Sequence, residues 1–225
     1  MKSKSRSNNL ENTVAKVLQD IEKMAKKEFL PSIGPIKGKI MKNIIKEHKP
    51  EKALEIGTLH GYSAILITIN ILIQKAGKEK LNIDFENNSS ESEPILFTLE
   101  KDGEMAQIAR SNIENSGLSD KIHLINGDAL KVIPKLKSKY KFDMVFLDAT
   151  KNEYLKYLQL IEQYGLLNKR AVVVADNVII YEDEMKDYLD YVRNSCNYIS
   201  RTTKTTLEFN KKIKDALEVS INVAI

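Results

Sequence analysis

The chain has no tryptophan, a single cysteine and only three histidines, and each scarcity removes a class of function. One thiol, Cys196, cannot form an internal disulfide and fits a reducing, cytoplasmic setting. No base lies near it in sequence, so it reads as a packed thiol rather than a nucleophile. No run of about 18 apolar residues occurs, so no membrane span is expected. Residues Met1–Asn9 are polar and basic with no apolar stretch behind them, which is not the pattern of a secretory signal. Without tryptophan or a dense arginine cluster, a dedicated groove for single-stranded nucleic acid is disfavoured. His48, His60 and His123 sit on unrelated segments and have no zinc-ligand spacing. There is no internal repeat.

What remains is the composition of a globular protein. Of 225 residues, 42% are hydrophobic and 29% charged, enough to bury a large core as one domain spanning 1–225. The net charge is +4. The basic residues are scattered except over Lys23–Lys52, which reads as a solvated lysine face.

The organising stretch is Leu54–Ala64, LEIGTLHGYSA. A short apolar strand turns through Gly57 and Gly61 into an apolar run long enough for a helix, the unit that opens nucleoside-binding α/β folds. The spacing is not GxGxxG, and Glu55 lies in the strand. A bare carboxylate beside a pyrophosphate would be repelled. A ligand with an amine or hydroxyls is therefore favoured over a dinucleotide. His60 reads equally as a pocket residue or a structural one.

Along the chain, a helix capped at Asn8 or Asn9 runs to Lys27, with Val14, Leu18, Ile21 and Met24 at helical spacing. The segment Phe29–Pro35 breaks it, and a second helix covers Ile36–His48. These form an N-terminal helical region of about 9–48. Strands are expected at Lys52–Ile56, Ile95–Leu99, Ile122–Ile125, Phe142–Leu147 and Ala171–Ala175. Helices follow at Tyr62–Lys75, Asp102–Ser116, Ala129–Leu136, Glu153–Tyr164 and Asp183–Arg193. Two late strands, Thr202–Phe209 and Leu217–Val223, lie close enough to be antiparallel, and Tyr198–Arg201 would extend the first. A polar insert of about 75–94 reads as a surface loop. The pattern is α/β: a mostly parallel sheet of seven strands with an antiparallel edge and helices on both faces.

The polar residues concentrate where the strands end. Glu55, Glu100, Asp128, Asp148 and Asp176 each fall at the end of a successive strand. In such sheets ligands sit outside those ends. One acid there is usually a helix cap, but five crowd like charges unless something cationic sits among them. Glu100 is placed to accept ribose hydroxyls. Asp128 with Ala129 suits an adenine amino group beside an apolar wall. Glu55 would help hold an ammonium. Asp148, Asp176 and Asn177 form a hard-oxygen set suited to Mg²⁺. Lys151, three residues past Asp148, would reach it. A nearby cation and burial would lower its pKa, as a base near neutrality requires.

These residues carry a resemblance. VFLDATKNEY, GLLNKRAVVVADNV and the TLEF ending at Phe209, with SIGPIKGKIMKNIIKEHKP leading into LEIGTLHGYSA, resemble the cation-dependent class I O-methyltransferases that use S-adenosylmethionine, the catechol O-methyltransferase group in particular. The likeness runs from about Phe29 to Val223. It implies a Rossmann-like methyltransferase fold, with Asp148, Asp176 and Asn177 holding Mg²⁺ or another divalent cation and Lys151 as the base. It implies donor contacts from Ile33, Glu55, Gly57, Gly61, Tyr62, Ser63, Glu100, Asp128, Ala129 and Asp148. Lys151, Asn177 and Glu208 would meet the substrate. Two tryptophans that frame the ring in the catechol enzymes are replaced by Phe29 and Thr150. The resemblance implies a small hydroxylated aromatic acceptor, with hydroxyuridine in a tRNA anticodon loop as the alternative, and a homodimer through the N-terminal helices. A non-catalytic nucleoside-binding module is a less favoured alternative, opposed by the intact set Asp148, Lys151, Asp176 and Asn177, and a nicotinamide dehydrogenase is opposed by Glu55 and the glycine spacing.

Overall fold

Alternation along the strands divides the core into two layers. The structure, a computed structural model, describes residues 2–28, 31–78, 93–136, 139–208 and 210–224. Seven strands form one sheet: β1 Ala53–Ile56, β2 Leu96–Glu100, β3 Ile122–Asn126, β4 Phe142–Leu147, β5 Leu167–Ala175, β6 Tyr198–Thr206 and β7 Lys214–Asn222. Their order is β3-β2-β1-β4-β5-β7-β6. The first five are parallel, and β7 runs antiparallel to both β5 and β6. On one face Ala53, Leu96, Met144, Phe146, Val172 and Val174 meet the helices α1 (Lys2–Glu28), α2 (Gly34–His48), α3 (Tyr62–Lys78) and α4 (Gly103–Ser116). On the other, Leu54, Ile56, Phe97, Leu99, Val145, Leu147 and Val173 meet α5 (Ala129–Val132), α6 (Tyr154–Gln163) and α7 (Lys186–Asn194). The period of two sends adjacent residues to opposite layers.

Local chemistry sets most boundaries. Asp102 caps α4 by accepting from the amides of Glu104 and Met105, and Gly117 closes it with a left-handed residue. Pro134 shortens the expected Ala129–Leu136 helix to α5 plus a 3₁₀ turn, Ile133–Leu136. Other boundaries move. α1 starts well before Asn8, because no glycine or proline stops it there and an interior Asn costs little. β5 begins at Leu167 because that residue pairs with Phe142 across a register shift, which keeps Asn168, Lys169 and Arg170 extended despite their polarity. β6 takes in Tyr198–Arg201, paired residue by residue with β7. α7 starts at Lys186, because turns that close on Asn177 and Tyr181 occupy the preceding residues. Cys196 is exposed rather than packed. Phe29, Phe209 and most of the 75–94 insert lie outside the described residues. Among those described, no helix is long and apolar enough to cross a membrane.

The chain reverses direction across the sheet between β1 and β4, and a crevice opens beyond their C-terminal ends. Its floor depends on Gly57. The Gly57 amide donates to the Leu99 carbonyl at 3.0 Å, and the Asp148 amide donates to the Ile56 carbonyl at 2.9 Å. Gly57 sits at φ +96, and a Cβ there would lie 2.2 Å from the Asp148 carbonyl oxygen. Both the dihedral and the contact exclude a side chain. Gly57→Ala should therefore destabilise the fold by at least about 2 kcal/mol, from backbone strain and overpacking together. Urea unfolding followed by circular dichroism measures this, and wild-type stability in the variant would contradict the close approach.

Candidate active site

The crevice deepens into a cavity of about 420 Å³. Of the residues expected from the sequence, Ile33, Gly57, Tyr62, Ser63, Glu100, Asp128, Ala129, Asp148, Lys151 and Asn177 line it. His60 is on the wall as well, buried, with its imidazole pKa lowered by burial. Thr150, Tyr157 and Tyr181 form part of the same wall. Neither Tyr157 nor Tyr181 belongs to a sequence motif; folding brings them there from α6 and from the turn after β5. Ile21 of α1 also reaches the cavity, and Tyr62 donates its hydroxyl to Glu22 Oε1 at 2.7 Å. The N-terminal helix thus closes one side.

The acids at the strand ends do different work from one another. Glu100 binds the glycine turn: Oε2 accepts from the amides of Thr58 at 3.1 Å and Leu59 at 2.7 Å, and Oε1 accepts from the Asp102 amide at 2.9 Å. Asp128 caps α5 through the Leu130 amide at 3.0 Å, and its other oxygen lies 3.7 Å from Lys101 Nζ. Capping, the ordinary use of an acid after a strand, accounts for this much of the pattern.

Glu55, Gly61 and Glu208 do not line the cavity. Glu55 is fully buried on the α3 side of β1. Its Oε2 accepts from Thr98 Oγ1 at 2.5 Å, and Thr98 is itself bonded to Thr58 Oγ1. Burial pushes its pKa up to about 8, against hydrogen bonds from Ser63 and Thr98 that favour the charged form. Its Oε1 has no hydrogen-bond partner among the described residues. An unmatched buried acceptor is costly, and beside this crevice it suits a donor such as an ammonium or a bridging water. Gly61 shapes the turn from behind, with its amide on the Thr58 carbonyl at 2.9 Å. Glu208 was expected at a substrate hydroxyl. Its Oε2 accepts from the Ile36 amide at 2.8 Å in the first turn of α2, where an acid meets the positive end of the helix. Gly34, at φ +50, makes room for it; a Cβ would lie 2.2 Å from Glu208 Cγ.

The remaining acids converge. Leu147 and Ala175 are paired neighbours on β4 and β5, so Asp148 and Asp176 leave the sheet side by side. Lys151 Nζ donates to Asp148 Oδ1 at 2.9 Å and to Tyr154 Oη at 2.8 Å. Asp176 lies just behind the wall, where burial and then the Asp148 charge hold its carboxyl well above the usual range. Its Oδ1 accepts from the Asn177 amide at 2.7 Å and from Lys37 Nζ at 2.5 Å. Asn177 adopts a left-handed φ of +67, which turns its side chain back toward the acids. Lys37 also donates to Asp215 Oδ2 at 2.6 Å, and Asn177 Nδ2 donates to the same oxygen at 2.9 Å.

Neither Lys37 nor Asp215 stood out in the sequence. Lys37 falls inside the lysine-rich stretch read as solvated, yet it is 2% exposed. The only signal was its place between two glycines and a proline at the start of α2, where a long side chain can turn inward. Among the described residues no three His, Cys, Asp or Glu side chains gather into a metal-binding group. The convergent set is two acids and an amide. Its oxygen donors and the mutual repulsion of its carboxylates fit a hard divalent cation.

A family profile described as O-methyltransferase matches residues 5–224. Catechol O-methyltransferase B of Danio rerio is 37% identical over 198 residues, covering 87% of this chain and 67% of the relative. Catechol O-methyltransferase of Mus musculus is 34% identical over 200 residues, covering 88% and 67%. An O-methyltransferase from Bacillus cereus, solved in complex with SAH, superposes with a TM-score of 0.72 at 22% identity, covering 92% of this chain and 90% of that one. This last likeness is one of fold.

Burial of Glu55 has a consequence for pH. Between the ordinary carboxylate range and about 8, the folded chain keeps a proton that the unfolded chain has released. Stability must therefore fall as pH rises through that window and level off above it. Glu55→Gln removes the titration. The unfolding free energy of wild type relative to this variant should drop by a few kcal/mol from about pH 5 to about pH 8.5, measured by urea unfolding at each pH. A constant difference would mean that Glu55 is not held protonated.

Proposed function

The chain belongs to the O-methyltransferase family and is an S-adenosylmethionine-dependent enzyme of that class, and we propose that it methylates a hydroxyl of a small catechol-like or other hydroxylated aromatic acceptor with a divalent cation held by Asp148, Asp176 and Asn177. One observation carries the reading: Asp148 and Asn177 on the crevice wall and Asp176 just behind it come together beside a lysine held by Asp148 and Tyr154. The catechol O-methyltransferase relatives support the acceptor class.

When bound, the donor offers an electrophilic methyl on a sulfonium, and a divalent cation lowers the pKa of a hydroxyl that binds it. The chain supplies the rest. Gly57 lets a ligand lie against the backbone, and the unmatched Oε1 of Glu55, behind the glycine turn, meets an ammonium through water. Glu100 has acceptor capacity left for a ribose hydroxyl at Oε1, which carries the Asp102 amide alone, whereas Oε2 already accepts from two amides. Asp128 and Ala129 form the wall for an adenine edge. Lys151 Nζ takes the acceptor's hydroxyl proton, and its contacts to Asp148 and Tyr154 fix that atom in place. Tyr181, with its ring centroid 5.8 Å from Lys151 Nζ, offers an aromatic face to the acceptor where Thr150 offers none. Positioning of this kind can contribute about 7–11 kcal/mol.

The second reading, methylation of a tRNA hydroxyuridine, draws on the open wall at Thr150 and on the net charge of +4. A methyl-transfer assay with small catechols in one arm and bulk tRNA in the other separates the two. Phosphate contacts would make the tRNA reaction fall steeply with salt.

In that assay excess EDTA should abolish transfer, and added Mg²⁺ should restore it. Full activity in EDTA would remove the cation from the reading. Asp148→Ala should lose cation-dependent turnover while S-adenosylhomocysteine still binds by calorimetry. Lys151→Ala should lower kcat by about 10²-fold or more, the span of a lost general base. An unchanged rate near pH 7 would exclude Lys151 as that base.

A further inference from the structure

Lys37 and Asp215 are fully interior, on α2 and β7, and neither lines the cavity. A buried ion pair is weak evidence of stabilisation, since apolar residues of similar volume often do as well. Stability alone therefore gives little reason for a lysine here. The informative feature is where its partners sit. Lys37 Nζ and the Asn177 amide both donate to Oδ1 of Asp176, so Oδ2 is the oxygen left for a ligand. Asp215 Oδ2 accepts from Lys37 and from Asn177 Nδ2. An ionised carboxylate can only accept, so the NH₂ of Asn177 must face Asp215 and its carbonyl oxygen must face away, toward the cavity wall that Asn177 lines.

We infer that Lys37 and Asp215 are positioning residues that set two of the three cation ligands, Lys37 orienting the Asp176 carboxylate and Asp215 fixing which way the Asn177 amide points. The inference rests on the cation reading above. It gives that reading a support drawn from two distant elements: without Asp215 the amide is free to rotate and present nitrogen, which cannot ligate a cation. Without Lys37 the Asp176 carboxylate loses the bond that commits Oδ1. A simple structural tie between α2, β5 and β7 would affect only folding.

The test uses Asp215→Leu and Lys37→Met, with MnCl₂ as the probe. Circular dichroism and thermal melting first establish that each variant is folded. Mn²⁺ affinity is then measured by electron paramagnetic resonance, alone and with S-adenosylhomocysteine present, and S-adenosylhomocysteine affinity by calorimetry. Positioning predicts Mn²⁺ binding weakened by about 10–100-fold, with S-adenosylhomocysteine affinity within about twofold of wild type. Asp215→Leu keeps the volume and removes both acceptor oxygens, so nothing holds the Asn177 NH₂, and either variant decides the matter if the other does not fold. Wild-type Mn²⁺ affinity in a folded variant overturns the inference and leaves the cation reading standing. A wild-type protein that binds no Mn²⁺ under either condition overturns both.

Discussion

Two carboxylates leave adjacent parallel strands side by side, and the rest of the site answers that repulsion. The pairing of Leu147 with Ala175 dictates that Asp148 and Asp176 emerge together. Like charges at that spacing, one of them buried, are unfavourable without compensation. Two lysines supply it from opposite sides. Lys151 comes from the turn immediately after β4, and Lys37 comes from α2, far away in sequence. Each brings a further partner, Tyr154 for Lys151 and Asp215 for Lys37. Lys37 stays charged despite burial, because Asp176 and Asp215 together outweigh the cost of leaving water. Asp215 stays ionised for the matching reason, with Lys37 and Asn177 outweighing its burial.

The glycine-turn side of the crevice follows a different logic. There the backbone does most of the work. Gly57 and the Asp148 carbonyl approach too closely for any side chain, and the amides after Gly57 are gathered by Glu100. Glu55 lies behind this turn, beneath the start of α3, with one oxygen unmatched. A polar ligand with a donor group would satisfy what the chain leaves open.

Much of the fold was legible because its strands are short, apolar and separated by glycines, prolines or polar turns. Phe142–Leu147 could hardly be anything but a buried strand. The meeting of Asp148, Asp176 and Asn177 at one edge was legible for a related reason: each follows directly on such a strand, and a parallel sheet presents its C-terminal ends to one side. The same reasoning did not show that Glu55, one residue before the strand end, turns into the α3 layer. Nor did it show that the Ile36 amide at the start of α2 takes one oxygen of Glu208. Strand-end position says where a residue emerges, not which donor reaches it first.

The amino-acid order by itself determined the alternation of strand and helix, the glycine turn and the acids at its edge, because those depend on neighbours within a few residues. Only the tertiary structure decided that Lys37 is interior, that Asp215 meets Asn177, that Glu208 meets the Ile36 amide and that Tyr181 faces the cavity. Each of these joins residues from separate elements, and Lys37 meets Asp215 across a sequence separation of 178 residues. Local periodicity cannot encode such a meeting. It arises when β7 inserts antiparallel beside β5 and α2 packs across the sheet, which brings a lysine that reads as surface into contact with two buried acids.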